Sequence, residues 1–377
     1  MHERRGPHRL PLVDTHSHGV LHGELGIGSF ERYFGAAAGA VPGGRGAGSL
    51  FDTRAGLALL RWCPPLLGLE PRCPAVRYLA RRRELGAFAA GRALLRGTGI
   101  GTFLVDPAGP LPAPHGPGGP AGYGEEDLTS PRELAQAAGG RGHEIVGLDR
   151  LAVRAAETAS TVRSLLTGSA DALHTAAGRG AVAFVCDASA VAEPAAPGIG
   201  EVQRAAGRWL TDRGRRTRPV RRNTADPTLL RHLLWAALTT GRPLQLRCAD
   251  PTPLAGLLEA VAGTGTVVLL PRRPHHRAAA RLAAAYPHVY ADVGPDPRHT
   301  LGEAPFSRLL FSTGAWGLPE MHVLRVRQFE RGMERLLAEW VAEGECTPAQ
   351  AHRIGALVAG GTARRIYRLE DEVVAVG

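Results

Sequence analysis

Short apolar runs alternate with longer amphipathic stretches along most of the chain. Eight runs are apolar or β-branched and are bounded by Gly, Pro or polar residues, which is the pattern of buried strands. These predicted strands are Leu12–Gly19, Gly99–Asp106, His143–Leu148, Ala181–Asp187, Pro243–Cys248, Thr266–Leu270, Val289–Gly294 and Arg308–Gly314.

Between most of these runs, apolar residues recur with the period of a helix. The predicted helices are Ala75–Leu95, Arg150–Ala177, Pro227–Thr240, His275–Tyr286, Pro319–Glu343, Thr347–Val358 and Thr362–Tyr367. A strand followed by helical sequence, repeated in this way over 377 residues, predicts an α/β fold of the (β/α)8 TIM-barrel type. A doubly wound open sheet is the main alternative, but no G-x-G-x-x-G follows a first strand.

The lengths of the connections predict one barrel domain over residues 1–377 with additions. The long connection 20–97 is expected to insert helices after the first strand, and residues 319–369 to form C-terminal helices. Residues 107–125 form a Pro/Gly-rich loop after the second strand, which is either a lid or a disordered insertion.

Composition argues against a membrane-spanning, secreted or disulfide-rich protein. No apolar run reaches the roughly 18 residues of a membrane span, and the basic N-terminus lacks the apolar stretch of a signal peptide. The five Cys are scattered and form no C-x-x-C pair, which argues against a disulfide framework and against a zinc knuckle. We therefore expect a cytoplasmic protein with no membrane partner, and a homo-oligomer remains open.

The net charge is +10, and all 45 basic residues are Arg. Without Lys, the chain cannot form a Schiff base or a carboxylated-lysine metal ligand. Arg213–Arg222 contains six Arg, a density typical of nucleic-acid-binding patches. The cluster has no interleaved aromatic residues, so we favour a solvated loop over a nucleic-acid interface.

The sequence Asp14-Thr15-His16-Ser17-His18-Gly19 is the sharpest chemical signal. Residues i and i+2 of a strand face the same side, so His16 and His18 are expected to project together. Two imidazoles at the carboxyl end of a barrel strand could share a divalent metal, typically zinc. Local hydrogen bonding of two polar residues at a strand end is the simpler alternative.

Several motifs in order resemble the amidohydrolase superfamily, in the branch related to amidohydrolase domains near or fused to glutamine-synthetase-like proteins. They are VDTHSHGV, GIGTFLVD, HEIV, LLRHLLWAAL, PHVYADVG, LLFSTGAWGLPE and RRIYRL. The resemblance covers most of the chain and implies a barrel of the metallo-dependent hydrolase type.

The resemblance also implies a metal site. Family members use the strand-1 H-x-H, often a carboxylated Lys on strand 4, a His ending strand 5, a His ending strand 6, and an Asp ending strand 8. His16 and His18 match, whereas the other four positions carry Val185, Arg247, Pro271 and Gly314. These four residues do not bind zinc, so the resemblance implies a degenerate metal site with at most a weakly held divalent ion.

Other polar residues near the strand ends are further candidates. Glu144, Asp292 and Glu320 are candidate catalytic carboxylates, although capping or ion pairing explains each more simply. His275 and His276 begin the helix after the sixth strand, and His276 is a candidate substrate-binding residue. Arg247, facing inward, would suit a carboxylate or phosphate because its planar guanidinium binds oxyanions with two hydrogen bonds.

Three functions follow from these residues. By resemblance the chain is a metal-dependent amidohydrolase that cleaves a C–N or related bond in a small carboxylate-bearing substrate, with activity lost or altered. The alternative is a non-catalytic barrel, or pseudoenzyme, that binds a small anion through Arg247. The third is an Arg-rich nucleic-acid-binding protein.

Overall fold

The structure is a computed structural model that describes residues 12–38, 49–107, 128–188, 193–215 and 226–369. Two predicted features lie largely outside these residues. Only Pro107 of the 107–125 loop is described, and the side chains of Arg213–Arg222 are not. The lid and the nucleic-acid interface therefore stay predictions.

Eight strands are described, and they are hydrogen-bonded in sequence order from β1 to β8. They are β1 (Leu12–Ser17), β2 (Ile100–Val105), β3 (Arg141–Gly147), β4 (Ala183–Asp187), β5 (Leu244–Cys248), β6 (Val267–Pro271), β7 (Val289–Asp292) and β8 (Leu309–Leu310). The pairs β1–β2 and β3–β4 through β7–β8 are parallel. This order confirms the predicted (β/α)8 barrel fold.

Helices follow or connect these strands. They are α1 (Ile27–Ala38), α2 (Arg54–Trp62), α3 (Ala75–Arg96), α4 (Pro131–Ala138), α5 (Leu148–Thr158), α6 (Val162–Gly178), α7 (Ile199–Arg215), α8 (Pro227–Thr239), α9 (Ala255–Ala260), α10 (His276–Ala285), α11 (Pro319–Ala342), α12 (Pro348–Ala356) and α13 (Thr362–Tyr367). None of the described helices is both long enough and apolar enough to cross a bilayer.

The predicted helix Arg150–Ala177 is wrong in one respect, because the structure divides it into α5 and α6. Ala159 is extended, and the Thr161 hydroxyl accepts a hydrogen bond from the Ser164 backbone N–H to cap α6. A Thr in this position satisfies a backbone donor that a continuous helix would bond internally, so it favours a new start.

The chain forms two compact units. The first unit comprises Met1–His143, Gly294–Arg298 and Phe311–Gly360. Its core joins the helices of the 20–97 connection to α11, and the buried members include Phe30, Phe34, Leu59, Tyr78, Leu94, Met321 and Leu324. The predicted insertion is therefore helical, and its apolar faces pack within this unit.

The second unit comprises Glu144–Val293, His299–Leu310 and Gly361–Gly377. Its strands β4 to β7 are buried almost throughout. On one face, the Gln245 amide donates to the Tyr367 hydroxyl of α13 at 2.8 Å. The guanidinium groups of Arg308 and Arg365 lie over the Tyr290 ring, 5.1 and 5.9 Å from its centroid. Helix α13 thus covers this face near the middle of β5 and β7.

Candidate functional site

His16 of β1 and His18, which lies just after the end of β1, are close together in the first unit. His16 and His18 are both buried, and their ring centroids are 5.0 Å apart with nearly perpendicular planes. The register of β1 against β2 shifts between Asp14 and Ser17, and His18 lies beyond the strand, so regular strand alternation does not by itself account for this proximity.

A backbone carbonyl orients the second imidazole. His18 Nδ1 lies 3.0 Å from the carbonyl oxygen of Asp106, which follows β2, and 3.9 Å from the Asp106 carboxylate. When Nδ1–H donates to that carbonyl, the lone pair of the neutral imidazole resides on Nε2. Metal-binding histidines are commonly held in this way.

The described part of the chain places no third His, Cys, Asp or Glu ligand with this pair. Gly314 occupies the position where a carboxylate would be expected, and its backbone N–H donates to the His16 carbonyl at 2.9 Å. Among the residues that the structure describes, no group of three His, Cys, Asp or Glu could hold a metal ion. Catalytic zinc needs three protein ligands and an open position, so these residues do not fit that ion.

The carboxylate of Asp14, on the same strand, is used differently. Its Oδ1 accepts the Thr313 backbone N–H at 2.8 Å, and its Oδ2 accepts the Thr313 hydroxyl at 2.5 Å. His322 of α11 is fully buried with Nδ1 3.6 Å from Asp14 Oδ2. Sequence reasoning missed this cluster, and only Asp14, inside the histidine motif, carried a signal.

A second set of polar residues ends the strands of the second unit. The register pairs Asp187 with Arg247, Arg247 with Leu270, and Leu269 with Ala291. The next step of that register places Leu270 beside Asp292. Register partners in a parallel sheet project from the same face. Asp187, Arg247, Leu270 and Asp292 therefore form one row, which we call the strand-end row.

Two His–Asp pairs lie beside this row. His276, the first residue of α10, has Nε2 3.6 Å from Asp292 Oδ2, and the two side chains are 12% and 9% exposed. His275 Nδ1 lies 3.6 Å from Asp250 Oδ1, with side chains 36% and 46% exposed. The hydrogen bond from the Thr252 backbone N–H lowers the pKa of Asp250, which keeps this carboxylate ionised near neutral pH.

The remaining substituted positions carry no ligand. Val185 is fully buried on β4, and Pro271 ends β6. Burial raises the pKa of the neighbouring Cys186 and Cys248 thiols to about 12, which favours their protonated form at neutral pH.

The other two candidate carboxylates lie apart from strand ends. Glu144 is exposed in the middle of β3, three residues before that strand ends. Glu320 is fully buried, and its Oε1 accepts from Arg82 Nε at 2.7 Å and from the Tyr78 hydroxyl at 2.8 Å. This candidate catalytic carboxylate has no solvent exposure, so it is not open to a ligand in this structure. It belongs to an internal ion pair of the first unit.

Known structures with this fold cover nearly the whole chain. A candidate metal-dependent hydrolase of Lactobacillus casei matches with a TM-score of 0.73 and 19% identity, over 96% of each chain. The glucuronate isomerase of Caulobacter crescentus matches with a TM-score of 0.61 and 16% identity, over 96% of this chain and 92% of that chain. The uronate isomerase of Thermotoga maritima matches with a TM-score of 0.60 and 14% identity, over 95% and 94%. At such identities the likeness shows the fold alone.

Similarity in sequence to a known protein covers a much smaller part of the chain than similarity in structure. The fluG protein of Emericella nidulans is 32% identical over 118 residues, which are 28% of this chain and 14% of the fungal protein. The match therefore spans only a small part of that relative. No protein-family model matches the chain.

Proposed function

We propose that this protein binds a small hydroxy-carboxylate at the strand-end row and does not hydrolyse it by a metal-hydroxide route. The observation that carries the proposal is the register that puts Arg247 in one row with Asp187 and Asp292, at the carboxyl ends of barrel strands. Active sites of barrel enzymes lie at these ends.

The row has complementary groups for such a ligand. The guanidinium of Arg247 has five N–H donors, so it can bind a ligand carboxylate and keep protein partners at the same time. The carboxylates of Asp187 and Asp292 accept hydrogen bonds from hydroxyl groups. Arg272 and Arg273 directly follow β6 and are exposed, so they add positive charge beside the row.

The comparisons support this ligand class. Two of the structural neighbours described above are isomerases of uronates, which are polyhydroxy carboxylates. The likeness to the L. casei protein, together with the His16–His18 pair, supports descent from a metal-dependent hydrolase whose metal site has degenerated. We place this descent in the branch near glutamine-synthetase-like proteins on the motifs of the sequence.

Hydrolysis of a C–N bond is the competing function. It is favoured by one observation, the Asp106 carbonyl that orients His18 as metal ligands are oriented. Since two imidazoles do not make a catalytic zinc site, we derive no hydrolytic step from them.

Ligand binding is tested by calorimetry and thermal shift with D-glucuronate, D-galacturonate and D-gluconate, with D-glucose as the uncharged comparison. We expect at least one acid to bind and D-glucose to bind more weakly. Arg247→Gln should abolish acid binding, whereas Arg281→Gln, which removes an exposed Arg paired with Glu303, should not. The proposal fails if no acid binds or if Arg247→Gln binds as the parent does.

Metal content separates the two functions. Protein purified without a His-tag should contain far less than one zinc per chain by elemental analysis. About one ion per chain, lost in the His16→Ala/His18→Ala variant together with turnover of an amide substrate, would support the hydrolase instead.

A further inference from the structure

We infer that His276 and Asp292 form an acid–base pair that removes and returns a proton at a carbon next to a carbonyl group of the bound ligand. The inference rests on the proposed function, because it places the ligand in the strand-end row. It adds a reaction class and assigns that reaction to two residues of the second unit.

The contact between the two residues has the form of a base and its orienting carboxylate. His276 Nε2 faces Asp292 Oδ2 at 3.6 Å. At this distance, slightly longer than a hydrogen bond, the carboxylate stabilises the imidazolium that forms when the other ring nitrogen takes a proton, and catalytic contacts of this kind commonly shorten when a ligand binds. Here that second nitrogen is Nδ1, so His276 Nδ1 is the proposed proton acceptor.

Burial distinguishes this pair from its neighbour. The His276 and Asp292 side chains are 12% and 9% exposed, so water screens their interaction little while a small ligand can still reach the imidazole. The His275–Asp250 pair has the same 3.6 Å separation but is 36% and 46% exposed. His275 directly precedes His276 in the chain, so the His275–Asp250 pair provides a matched control.

Helix stabilisation alone does not explain His276. The residue occupies the first turn of α10, where the helix dipole disfavours a positive charge. The Asp292 carboxylate offsets this cost when the imidazole is protonated. The arrangement therefore suits a group that gains and loses a proton better than it suits a helix cap.

The strand-end row places a ligand held by Arg247 near Asp292 and its partner His276. Arg247 lies on β5 and Asp292 on β7, with β6 between them. At the usual spacing of neighbouring strands, their Cα atoms are about 10 Å apart. Two residues earlier on these strands, Gln245 and Tyr290 are covered by α13. A ligand on Arg247 therefore lies toward the carboxyl ends of the strands, which is the side where His276 lies.

The proposed step balances without another reactant. His276 Nδ1 takes the proton from a C–H bond, and the electron pair of that bond moves toward the adjacent carbonyl oxygen to give an enolate. Return of a proton from the imidazolium to carbon regenerates the C–H bond. In D₂O the returned proton is a deuteron after exchange with solvent, so the step appears as deuterium at that carbon.

The test measures deuterium incorporation by NMR and mass spectrometry with two probes, D-glucuronate and 2-oxoglutarate, each of which has a carboxylate and a C–H bond beside a carbonyl group. We expect the full chain to label at least one probe faster than buffer. His276→Gln and Asp292→Asn should each slow labelling by about 10²–10⁴-fold, the usual contribution of general acid–base catalysis. His275→Gln and Asp250→Asn should label at the parent rate.

A binding measurement on each variant distinguishes loss of the acid–base reaction from loss of the folded ligand site. Each variant is first tested for calorimetric binding of the same probe, and His276→Asn serves as a second variant if His276→Gln fails to bind. Labelling should persist in EDTA and in His16→Ala/His18→Ala. Bound probe with no labelling by the parent protein, or parent-rate labelling by His276→Gln, would overturn the acid–base pair while leaving the proposed function intact. Loss of binding in Arg247→Gln and in no other variant would support the function alone.

Discussion

The backbone N–H of Gly314 donates a hydrogen bond to the carbonyl oxygen of His16 at 2.9 Å. Position 314 therefore lies against the backbone of the histidine motif. Gly314 has a φ of +54°, and a Cβ built on it meets nothing within 4 Å. A side chain that carries a carboxylate can thus be added at this position without a clash.

Gly314→Asp should raise the affinity of the chain for zinc. The new carboxylate would join two imidazoles and complete a set of three protein ligands, which catalytic zinc sites usually have. The left-handed backbone costs an Asp about 1 kcal/mol, less than for bulkier residues because Asp tolerates this region. Calorimetric titration with zinc should show tighter binding than in the parent chain.

Gly344→Asp is the matched control for that variant. Gly344 is exposed, has a φ of +77°, and also meets nothing within 4 Å, but it follows α11 away from the histidines. It should lose similar stability and gain no zinc affinity. Equal zinc binding by both variants would contradict the placement of position 314.

Glu320→Gln should lower the free energy of unfolding by about 3 kcal/mol or more. The variant leaves the buried Arg82 guanidinium without its charged partner, and breaking a buried pair costs far more than breaking an exposed one. Glu339→Gln breaks the exposed pair with Arg298 and should cost under about 1 kcal/mol. Urea unfolding of both variants measures the difference, and equal losses would show that Glu320 is not the internal partner described above.

Thiol labelling should be selective in the folded chain. With a pKa raised to about 12 by burial, Cys186 and Cys248 hold only about one part in 10⁴ as thiolate at pH 8. We expect iodoacetamide at pH 8 to modify the partly exposed Cys346 first, as read by peptide mass spectrometry. Rapid modification of Cys186 in native buffer would contradict its burial.

Alkaline pH should destabilise the fold through the same two thiols. Their pKa is raised in the folded chain, while an unfolded thiol titrates near 8.5, so the folded state binds these protons more tightly. Stability from this source is fully present below pH of about 8.5 and falls as pH rises toward 12. Urea unfolding between pH 8 and about 10.5 should show a shallower decline in Cys186→Ala/Cys248→Ala than in the parent chain.

Tyr367→Phe should cost about 1–2 kcal/mol of unfolding free energy. The variant removes the hydroxyl that accepts from the fully buried Gln245 amide, and a buried donor deprived of its acceptor is costly. Tyr286→Phe, at the partly exposed end of α10, should stay within about 0.5 kcal/mol. Thermal unfolding of the two variants compares them directly, and an equal effect would argue against this contact.

Local sequence patterns were enough to predict where the strands lie and their order in the barrel. These features depend on local rules, since apolar runs bounded by Gly or Pro form buried strands and alternate residues share a face. The helix break before Thr161 was not predicted, because the apolar periodicity continues across it and does not indicate an N-cap residue.

Which polar residues come into contact could not be predicted from the sequence, because these contacts join distant parts of the chain. Asp14 and His322 are 308 positions apart in the numbering, yet they lie within 3.6 Å, and Glu320 lies inside with Arg82 rather than at a strand end. The strand-end row likewise depends on the register between strands. A slip of one residue would turn the side chains of a strand to the opposite face of the sheet. Such contacts are set by packing across the chain, where no local pattern carries the information.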